Sequence, residues 1–312
     1  MLSILHVSDL HFGPPYVPHV GEALIRAAHE TPADLIVASG DFTQRATREQ
    51  YAAARAFLDR LPSLPTVVVP GNHDIPLYRI LERVFAPYRL YREYISSELD
   101  AVYRVDEAVI VALNSTSPLR AITNGRIDAW QLDFCARAFE EAEPHQARIV
   151  VTHHHFAPAP DYEGGQVMPR AKRAIDRFAD LGVELVLGGH LHRAYVGNSL
   201  DVYPGRDREH GIIIVQSGTT TSRRGRVRER EKNSLNLIRV GEDRIRVTHY
   251  MYFDELLGFA PISRHLFPRP GRRFLAERTG DVEEGIALSR PIGVPRPAEL
   301  VPGLRPAERP QD

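Results

Sequence analysis

Short apolar runs alternate with longer amphipathic segments along the first part of the chain. The runs "SILHVSD", "ADLIVASGD" and "PTVVVPGNHD" have the composition of strands, and "VGEALIRAAHE" and "TREQYAAARAFLDRL" between them have helical periodicity. Thr47 is the predicted N-cap of the second helix. A strand–helix–strand series of this kind predicts parallel strands covered by helices.

The later part of the chain has a different pattern. After a looser region at about residues 75–100, "AVYRV" and "AVIVALN" flank the connector "DEA" and predict a hairpin. A helix around Trp130 precedes the strand "RIVVTHHH", and "MPRAKRAIDRFADLG" is a helix before the strand "VELVLGGHLH". Three more strand candidates follow: "GIIIVQSG", "SLNLIRV" and "RIRVTHYMYF". Because these last strands are antiparallel in character, we expect mixed sheets.

The domain organisation follows from where this periodicity ends. From about residue 267 prolines cluster and apolar periodicity disappears. The sequence therefore predicts one domain over residues 1–266 and a Pro-rich tail, residues 267–312, without its own core.

Composition and charge disfavour nucleic-acid-binding, membrane-spanning and secreted proteins. The chain has 312 residues, 43% of them hydrophobic, and a formal net charge of −1, so no global positive field favours nucleic acid. The apolar runs are shorter than a membrane span of about 20 residues, and the first residues lack the basic region and cleavage site of a secretory signal. The one cysteine, Cys135, shares a helical face with Leu132 and Phe139 and is a predicted core thiol. We expect a cytoplasmic protein without membrane or nucleic-acid partners.

Metal-binding residue types follow five of the predicted strands. They are Asp9 and His11, Asp41, Asn72 with His73 and Asp74, His153 with His154 and His155, and His190 with His192. Each group alone is compatible with turn chemistry, but ligands in open α/β sheets bind at the carboxyl ends of strands. Mixed imidazole and oxygen donors suit Mn²⁺, Fe or Zn²⁺ better than Ca²⁺. The conjunction predicts a metal centre, with Asp41 well placed as an anionic bridge between two ions.

The blocks "DLHFG", "GDFT", "GNHD", "THHH" and "GGHLH" resemble, in order and spacing, the signature blocks of the calcineurin-like metallophosphoesterases. The resemblance covers roughly residues 1–250. The stretch "NGRIDAWQLDFCARAF" is similar to the one before the fourth block in bacterial class III cyclic-nucleotide phosphodiesterases and related glycerophosphodiesterases. The resemblance implies an α/β fold, a four-layer α/β/β/α sandwich with mixed sheets and a binuclear metal site at the C-terminal ends of strands.

The resemblance also implies roles for single residues. Asp9, His11 and His192 would bind one metal ion, Asn72, His153 and His190 the other, and Asp41 both. His73 would be a catalytic residue near the phosphoryl group, oriented by Asp74. In the triplet, alignment of Pro158 with the family's proline-containing turn favours His153 as the ligand, with His154 as the alternative and His155 as a turn residue or outer donor.

The activity implied is hydrolysis of a phosphodiester by a metal-bridging hydroxide, with two divalent transition-metal ions, Mn first and Fe or Zn as alternatives. The expected substrate is small, a cyclic nucleotide or a glycerophosphodiester. A phosphoprotein or phosphomonoester phosphatase on the same site is the main alternative. A nuclease is disfavoured by the charge balance, and a non-catalytic scaffold by the intact ligand set. A homo-oligomer is left open.

Two further groups of residues have competing interpretations. The basic run "SRRGRVREREK" at residues 222–232 is predicted to be a solvated connection between strands, and the alternative is that one of its arginines reaches the substrate phosphate. Trp130 and the tyrosines at residues 88–94 are predicted to be packing and surface aromatics, in preference to a base-stacking platform.

Overall fold

A computed structural model describes residues 1–120, 123–159, 166–203, 211–226, 230, 232–269 and 290–296. This part of the chain contains twelve strands, six α-helices and two short 3-10 helices, Asn72–Asp74 and Ser199–Asp201. The strands are β1 Leu2–Val7, β2 Leu35–Ala38, β3 Thr66–Val68, β4 Ala101–Val105, β5 Ala108–Ala112, β6 Ala147–Val151, β7 Leu185–Gly188, β8 Tyr195–Asn198, β9 Ile213–Gln216, β10 Ser234–Val240, β11 Arg244–Phe253 and β12 Gly258–Pro268. The helices are α1 Pro18–Glu30, α2 Arg48–Leu58, α3 Ile80–Phe85, α4 Arg89–Tyr94, α5 Ala129–Glu140 and α6 Ala171–Asp180. None of these helices is long and apolar enough to cross a membrane.

The strands form two six-stranded sheets, in the orders β12-β11-β10-β1-β2-β3 and β4-β5-β6-β7-β9-β8. In the first sheet β1, β2 and β3 are parallel, and β10, β11 and β12 are added antiparallel. In the second sheet β5, β6, β7 and β9 are parallel, and β4 and β8 pair antiparallel at the edges. The predicted mixed sheets and the β4–β5 hairpin are therefore confirmed.

Three apolar clusters separate four layers, because side chains alternate between the two faces of each strand. Between the sheets, Ile4 and Val37 pack with Ile110 and Ile149. A second cluster joins α1 and α2 to the outer face of the first sheet. A third joins α5 and α6 to the outer face of the second sheet. This is the α/β/β/α sandwich that the resemblance implies.

Two local predictions are also confirmed. The Thr47 side chain caps α2 by accepting a hydrogen bond from the backbone N–H of Gln50. Cys135 is a free, fully buried thiol in the third cluster, and burial raises its pKa to about 12. A thiol protonated at neutral pH in an apolar environment is inert, so Cys135 is a core residue.

The structure adds two edge strands that the sequence pattern does not predict, β8 and β12. The residues of β12 alternate between buried or half-buried and exposed positions, and Pro261 interrupts the run where the register shifts opposite Tyr250. Proline is tolerated there because β12 is an edge strand.

The last strand also crosses the predicted boundary of the domain, since β12 continues to Pro268. Within the predicted tail, residues 290–296 lie against the first sheet and α1. Ile292 forms a β-bridge with Phe259, and the carbonyl of Gly293 accepts a hydrogen bond from Arg26. The division into a domain and a tail stays a prediction.

Candidate metal centre

The backbone at the candidate ligands has an unusual conformation. Asp9, His11, Asp41, His190 and His192 have φ angles of 54°, 50°, 55°, 73° and 53°. Positive φ is uncommon for residues with a side chain, although Asp and His adopt it more readily than most. Such conformations cost about 1–3 kcal/mol each and cluster at functional sites. Five of them at the ends of three strands indicate that the loops are shaped to bring these side chains together.

Close backbone contacts hold the loops after β1, β2 and β3 in register. The backbone N–H of Asp9 donates to the carbonyl of Gly40 (3.0 Å) and that of His11 to the carbonyl of Asp41 (2.9 Å). A Cβ atom on Gly71 would lie 2.1 Å from Oδ1 of Asp41. Glycine is therefore required at residue 71 for Asp41 to take its place.

One donor group consists of Asp9, His11, Asp41 and His192, all buried, and it could hold a metal ion. Nε2 of His192 lies 3.1 Å from Oδ1 of Asp9, and Nε2 of His11 lies 3.6 Å from both Asp9 Oδ1 and Asp41 Oδ2. Nδ1 of His192 donates to the carbonyl of Arg224 at 2.9 Å. This bond fixes the tautomer of His192 so that the lone pair of Nε2 faces the carboxylates.

A second donor group lies on the other side of Asp41. Nε2 of His153 is 3.4 Å from Asp41 Oδ2 and 3.3 Å from Oδ1 of Asn72. Nδ1 of His190 is 2.9 Å from the same Asn72 oxygen. Nδ1 of His153 donates to the carbonyl of Ser39 at 2.8 Å, so Nε2 is the ring nitrogen that faces Asp41. Asp41 Oδ2 thus faces both groups.

Ser115 distinguishes between the first two histidines of the triplet. Its Oγ accepts the backbone N–H groups of His153 (3.3 Å) and His154 (3.1 Å). Its own proton is then donated to Nδ1 of His154, 2.9 Å away. Burial, aided by the charge of His153, lowers the pKa of His154 well below its usual range, so its ring is neutral. His153, His154 and His190 each have a donor atom in one group that could hold a metal ion. Since Nε2 of His153 also contacts Asp41 and Asn72, His153 stays the predicted ligand.

The ionised carboxylates at the candidate metal centre favour the binding of cations. Burial alone would raise the pKa of Asp9 and of Asp41, but neighbouring histidines, His192 for Asp9 and His153 for Asp41, hold both well below the usual range. Burial would lower the pKa of His153, yet Asp41 raises it to about 9. Within the described residues, neither Asp9 Oδ1 nor Asp41 Oδ2 makes a hydrogen bond of good geometry, and both lie beside histidine ring nitrogens. Buried acceptors that are left facing ring nitrogens are what a divalent ion would satisfy.

His73 lies at the edge of this centre, with its ring 4.9 Å from that of His11 in an edge-to-face contact. Its Nδ1 donates to the carbonyl of Gln44 at 3.0 Å, so Nε2 remains for a substrate. The Asp74 side chain does not contact the His73 ring, in contrast to the expectation that it orients His73. The Asp74 carboxylate accepts hydrogen bonds from the backbone N–H groups of Gly71 and Thr43, both at 2.9 Å. Asp74 therefore fixes the loop, and Gln44 orients the ring.

The centre opens into a cleft of about 460 Å³. It is lined by Asp41, Asn72, His73, Thr123, Asn124, His155, Gln166, His190, Leu191, His192, Arg224 and Arg226. Two arginines of the run at residues 222–232, Arg224 and Arg226, line the cleft, and both interpretations of the run stay predictions. Thr123, Asn124 and Gln166 lie outside the five signature blocks and were not predicted to line the cleft, although Asn124 begins the stretch "NGRIDAWQLDFCARAF" that carries part of the resemblance. Trp130 is 55% exposed and Tyr91 is buried, as expected of surface and packing aromatics.

Substitutions in the triplet test the assignment of the ligand. We expect His153→Ala to remove about one metal ion per chain and most of the activity, because Nε2 of His153 faces both Asp41 and Asn72. His155→Ala should leave the metal content unchanged and alter activity little. Elemental analysis and an activity assay of the two purified variants measure this. Loss of metal from His154→Ala, with His153→Ala unaffected, would move the ligand by one residue.

Comparison with known proteins gives the family of the chain. Residues 2–194 match the model of the calcineurin-like phosphoesterase family. No match is found among curated protein sequences. The fold is similar to a purple acid phosphatase from yellow lupin (Lupinus luteus) seeds (TM-score 0.65, 12% identity, 87% of this chain and 54% of the lupin chain). It is also similar to PhoD (TM-score 0.65, 11% identity, 89% and 72%) and to a dimetal phosphatase from Danio rerio (TM-score 0.58, 11% identity, 86% and 99%).

The chain spans about half of the lupin phosphatase, and at these identities the likeness concerns the fold alone. The family model covers more than half of the chain and includes each of the five strand-end blocks. The chain belongs to the calcineurin-like phosphoesterase family.

Proposed function

We propose that this phosphoesterase is a phosphodiester hydrolase acting on small substrates of the cyclic-nucleotide or glycerophosphodiester type. The observation that supports it is the position of Asp41 between two donor groups, with His73 beside them at a polar cleft. Each group supplies the mixture of imidazole and oxygen donors that transition-metal ions prefer.

In this proposal Asp9, His11 and His192 hold one ion, Asn72, His153 and His190 hold the other, and Asp41 binds both. Two such ions would lower the pKa of water and neutralise charge on phosphoryl oxygens. We propose Mn²⁺ first and Fe or Zn²⁺ as alternatives, from the donor set. The second coordination shell is built from backbone carbonyls, those of Ser39 for His153 and of Arg224 for His192.

His73 is proposed to act on the departing alkoxide. Its Nδ1 is taken by the Gln44 carbonyl, so Nε2 is the atom that can contact the substrate. Burial lowers the pKa of His73, against the opposing effect of Asp41. A lowered pKa makes the protonated ring a stronger acid toward an alkoxide, which leaves poorly without a proton.

A panel of phosphate esters, assayed after reconstitution with Mn²⁺, tests the proposed function. The panel contains cyclic AMP, a glycerophosphodiester, p-nitrophenyl phosphate and a phosphoserine peptide, and Asp41→Ala gives the background for each. We expect kcat/KM to be at least about 10-fold higher for a diester than for either monoester. A preference of that size for a monoester would make the protein a phosphatase instead, and no turnover with two bound ions would support a scaffold.

The cysteine content and the net charge support a proposal for the cellular compartment and the size of the substrate. Cys135 is a buried, unpaired thiol, which suits a reducing compartment such as the cytoplasm. The net charge of −1 favours a small substrate over a nucleic-acid polyanion.

A further inference from the structure

The helix α3 presents apolar side chains to solvent. Its four large apolar residues lie at positions i, i+1, i+4 and i+5, which share one face of a helix, and they are 44–81% exposed. They are Ile80, Leu81, Val84 and Phe85. The other two residues, Glu82 and Arg83, lie on the opposite face and are half-buried. A surface helix of a monomeric protein has the reverse arrangement, so this helix is suited to a contact on its outer side.

Tyr78, two residues before α3, adds a fifth exposed apolar side chain. It is 71% exposed, and the guanidinium of Arg45 lies over its ring, 4.5 Å from the centroid. We call these five residues, Tyr78 and the four of α3, the α3 face. None of the residues of α3 is buried, and a helix of fewer than two turns is not stable in water by itself. Contacts on the α3 face would therefore stabilise the segment and also remove apolar surface from water.

We propose that the α3 face is the interface of a homodimer, in which two copies of this chain pack α3 against α3 about a two-fold axis. In such an interface the same surface contacts itself, so the apolar residues of one copy cover those of the other. The rows formed by Ile80 with Val84 and by Leu81 with Phe85 are i, i+4 ridges, which pack into the grooves between the same ridges of a second helix. This interface goes beyond the proposed function and does not depend on it.

The size of the α3 face matches what a dimer needs. Aromatic side chains bury about 150–250 Å² each, so the two of the α3 face, with its three aliphatic side chains, offer on the order of 500 Å² of apolar surface. A standard interface covers about 800 Å² per partner, and about 65% of a homodimer interface is apolar. Each copy must therefore supply about 500 Å² of apolar surface, which is the amount that the α3 face offers.

The charges beside the α3 face favour a second copy over an anionic partner. Glu82 forms ion pairs with Arg79 (2.6 Å) and Arg89 (3.2 Å) of its own chain. A two-fold contact brings each charge near its counterpart, and charges that are already compensated repel each other little. An acidic peptide or an anionic membrane would compete with Glu82 for these arginines, and the net charge of −1 gives no general attraction to either.

The α3 face lies beside the candidate metal centre. The guanidinium of Arg79 donates to the backbone carbonyls of Arg45 (3.2 Å) and Ala46 (2.7 Å). These two residues follow Gln44, whose carbonyl accepts from Nδ1 of His73. A second copy that packs on α3 would therefore support, from outside the cleft, the loop that orients His73.

Sedimentation velocity of the full chain tests the oligomeric state without using turnover. We expect wild type to be a dimer at micromolar concentrations. Phe85→Glu and Leu81→Glu should each raise the dissociation constant of the dimer by at least about 100-fold, because each places a charge at the centre of an apolar contact. Substitutions of exposed side chains usually change stability little, so thermal unfolding of dilute protein should show both variants folded.

Trp130→Glu is the matched control. Trp130 is a large apolar side chain of α5, 55% exposed, in the helix layer of the other sheet, so this variant adds the same charge at a comparable residue outside the α3 face. It should remain a dimer. Leu81→Ser with Phe85→Ser removes the apolar contact without adding charge, and it keeps the test valid should a glutamate variant fold poorly.

A wild-type chain that stays monomeric at these concentrations would overturn the proposal. A dimer that survives both glutamate substitutions, or that only Trp130→Glu dissociates, would also overturn it, since the interface would then lie elsewhere. Phosphatidylglycerol vesicles added to the same proteins test the other kind of partner. Binding of monomeric wild type to vesicles, abolished by Phe85→Glu, would mean that the α3 face contacts a membrane in place of a second copy.

Discussion

Replacing Asp41 by alanine is expected to remove both metal ions and to lower activity more than the change of any other single candidate ligand. Oδ2 of Asp41 lies 3.6 Å from Nε2 of His11 in one donor group and 3.4 Å from Nε2 of His153 in the other. Without its charge, two cations would face each other across a buried gap with no anion between them. Outer-shell changes usually cost about 10–100-fold in metal affinity or activity, and we expect a larger loss here.

Asp41→Asn sharpens the test. Asparagine keeps the oxygen that accepts the backbone N–H of His73 (2.8 Å in the native chain) but loses the charge, so the loop should stay folded while metal is lost. Elemental analysis of reconstituted proteins and kcat/KM on one diester give both readouts. Asp34→Asn is the control, because the Asp34 carboxylate also accepts a backbone N–H, that of Ser3, away from the site. Two ions retained in Asp41→Asn would show that the negative bridge is not required.

The general position of the site could be predicted because it depends on strand direction. β1, β2 and β3 are parallel neighbours, as are β5, β6, β7 and β9, and parallel strands end at the same edge. Polar residues that follow apolar runs must then meet there. Asp9 and Asp41, 32 residues apart in sequence, come together for this reason.

The partners that orient the site could not be predicted, since they come from loops without a motif. Gln44 holds the His73 ring through a carbonyl, and the Ser115 hydroxyl contacts the ring of His154 at 2.9 Å. Arg224 lies 32 residues beyond His192 in sequence, yet its backbone carbonyl accepts the hydrogen bond from Nδ1 of His192. Each contact depends on how two distant loops approach each other, and no periodicity in the chain encodes that distance.

The presence of Asp and His directly after the predicted strands is a signal from which the sharp loops of the site could have been predicted. These residue types tolerate positive φ better than most, and Asp9, His11 and Asp41 all adopt it. The edge strand β12 lacked any such signal, because Pro261 interrupts it and its exposed face carries Ile262, Arg264 and Leu266, so that polarity does not alternate along the sequence.

His73→Ala is expected to separate substrates by the pKa of their leaving groups. A ribose or glycerol alkoxide needs a proton as the P–O bond breaks, and p-nitrophenolate does not. General-acid catalysis typically contributes about 10²–10⁴-fold. The variant should therefore lose activity on cyclic AMP or a glycerophosphodiester by that factor, and far less on bis-p-nitrophenyl phosphate.

The metal content of His73→Ala should equal that of wild type, because Nδ1 of His73 is bonded to Gln44 and the ring belongs to neither donor group. That measurement separates a lost proton donor from a disturbed metal centre. Equal losses on both substrates would mean that His73 acts by stabilising charge on the phosphoryl oxygens. The lowered pKa of His73, caused mainly by burial, makes this a demanding test, since the ring must gain its proton as the anionic substrate binds and give it up as the alkoxide departs.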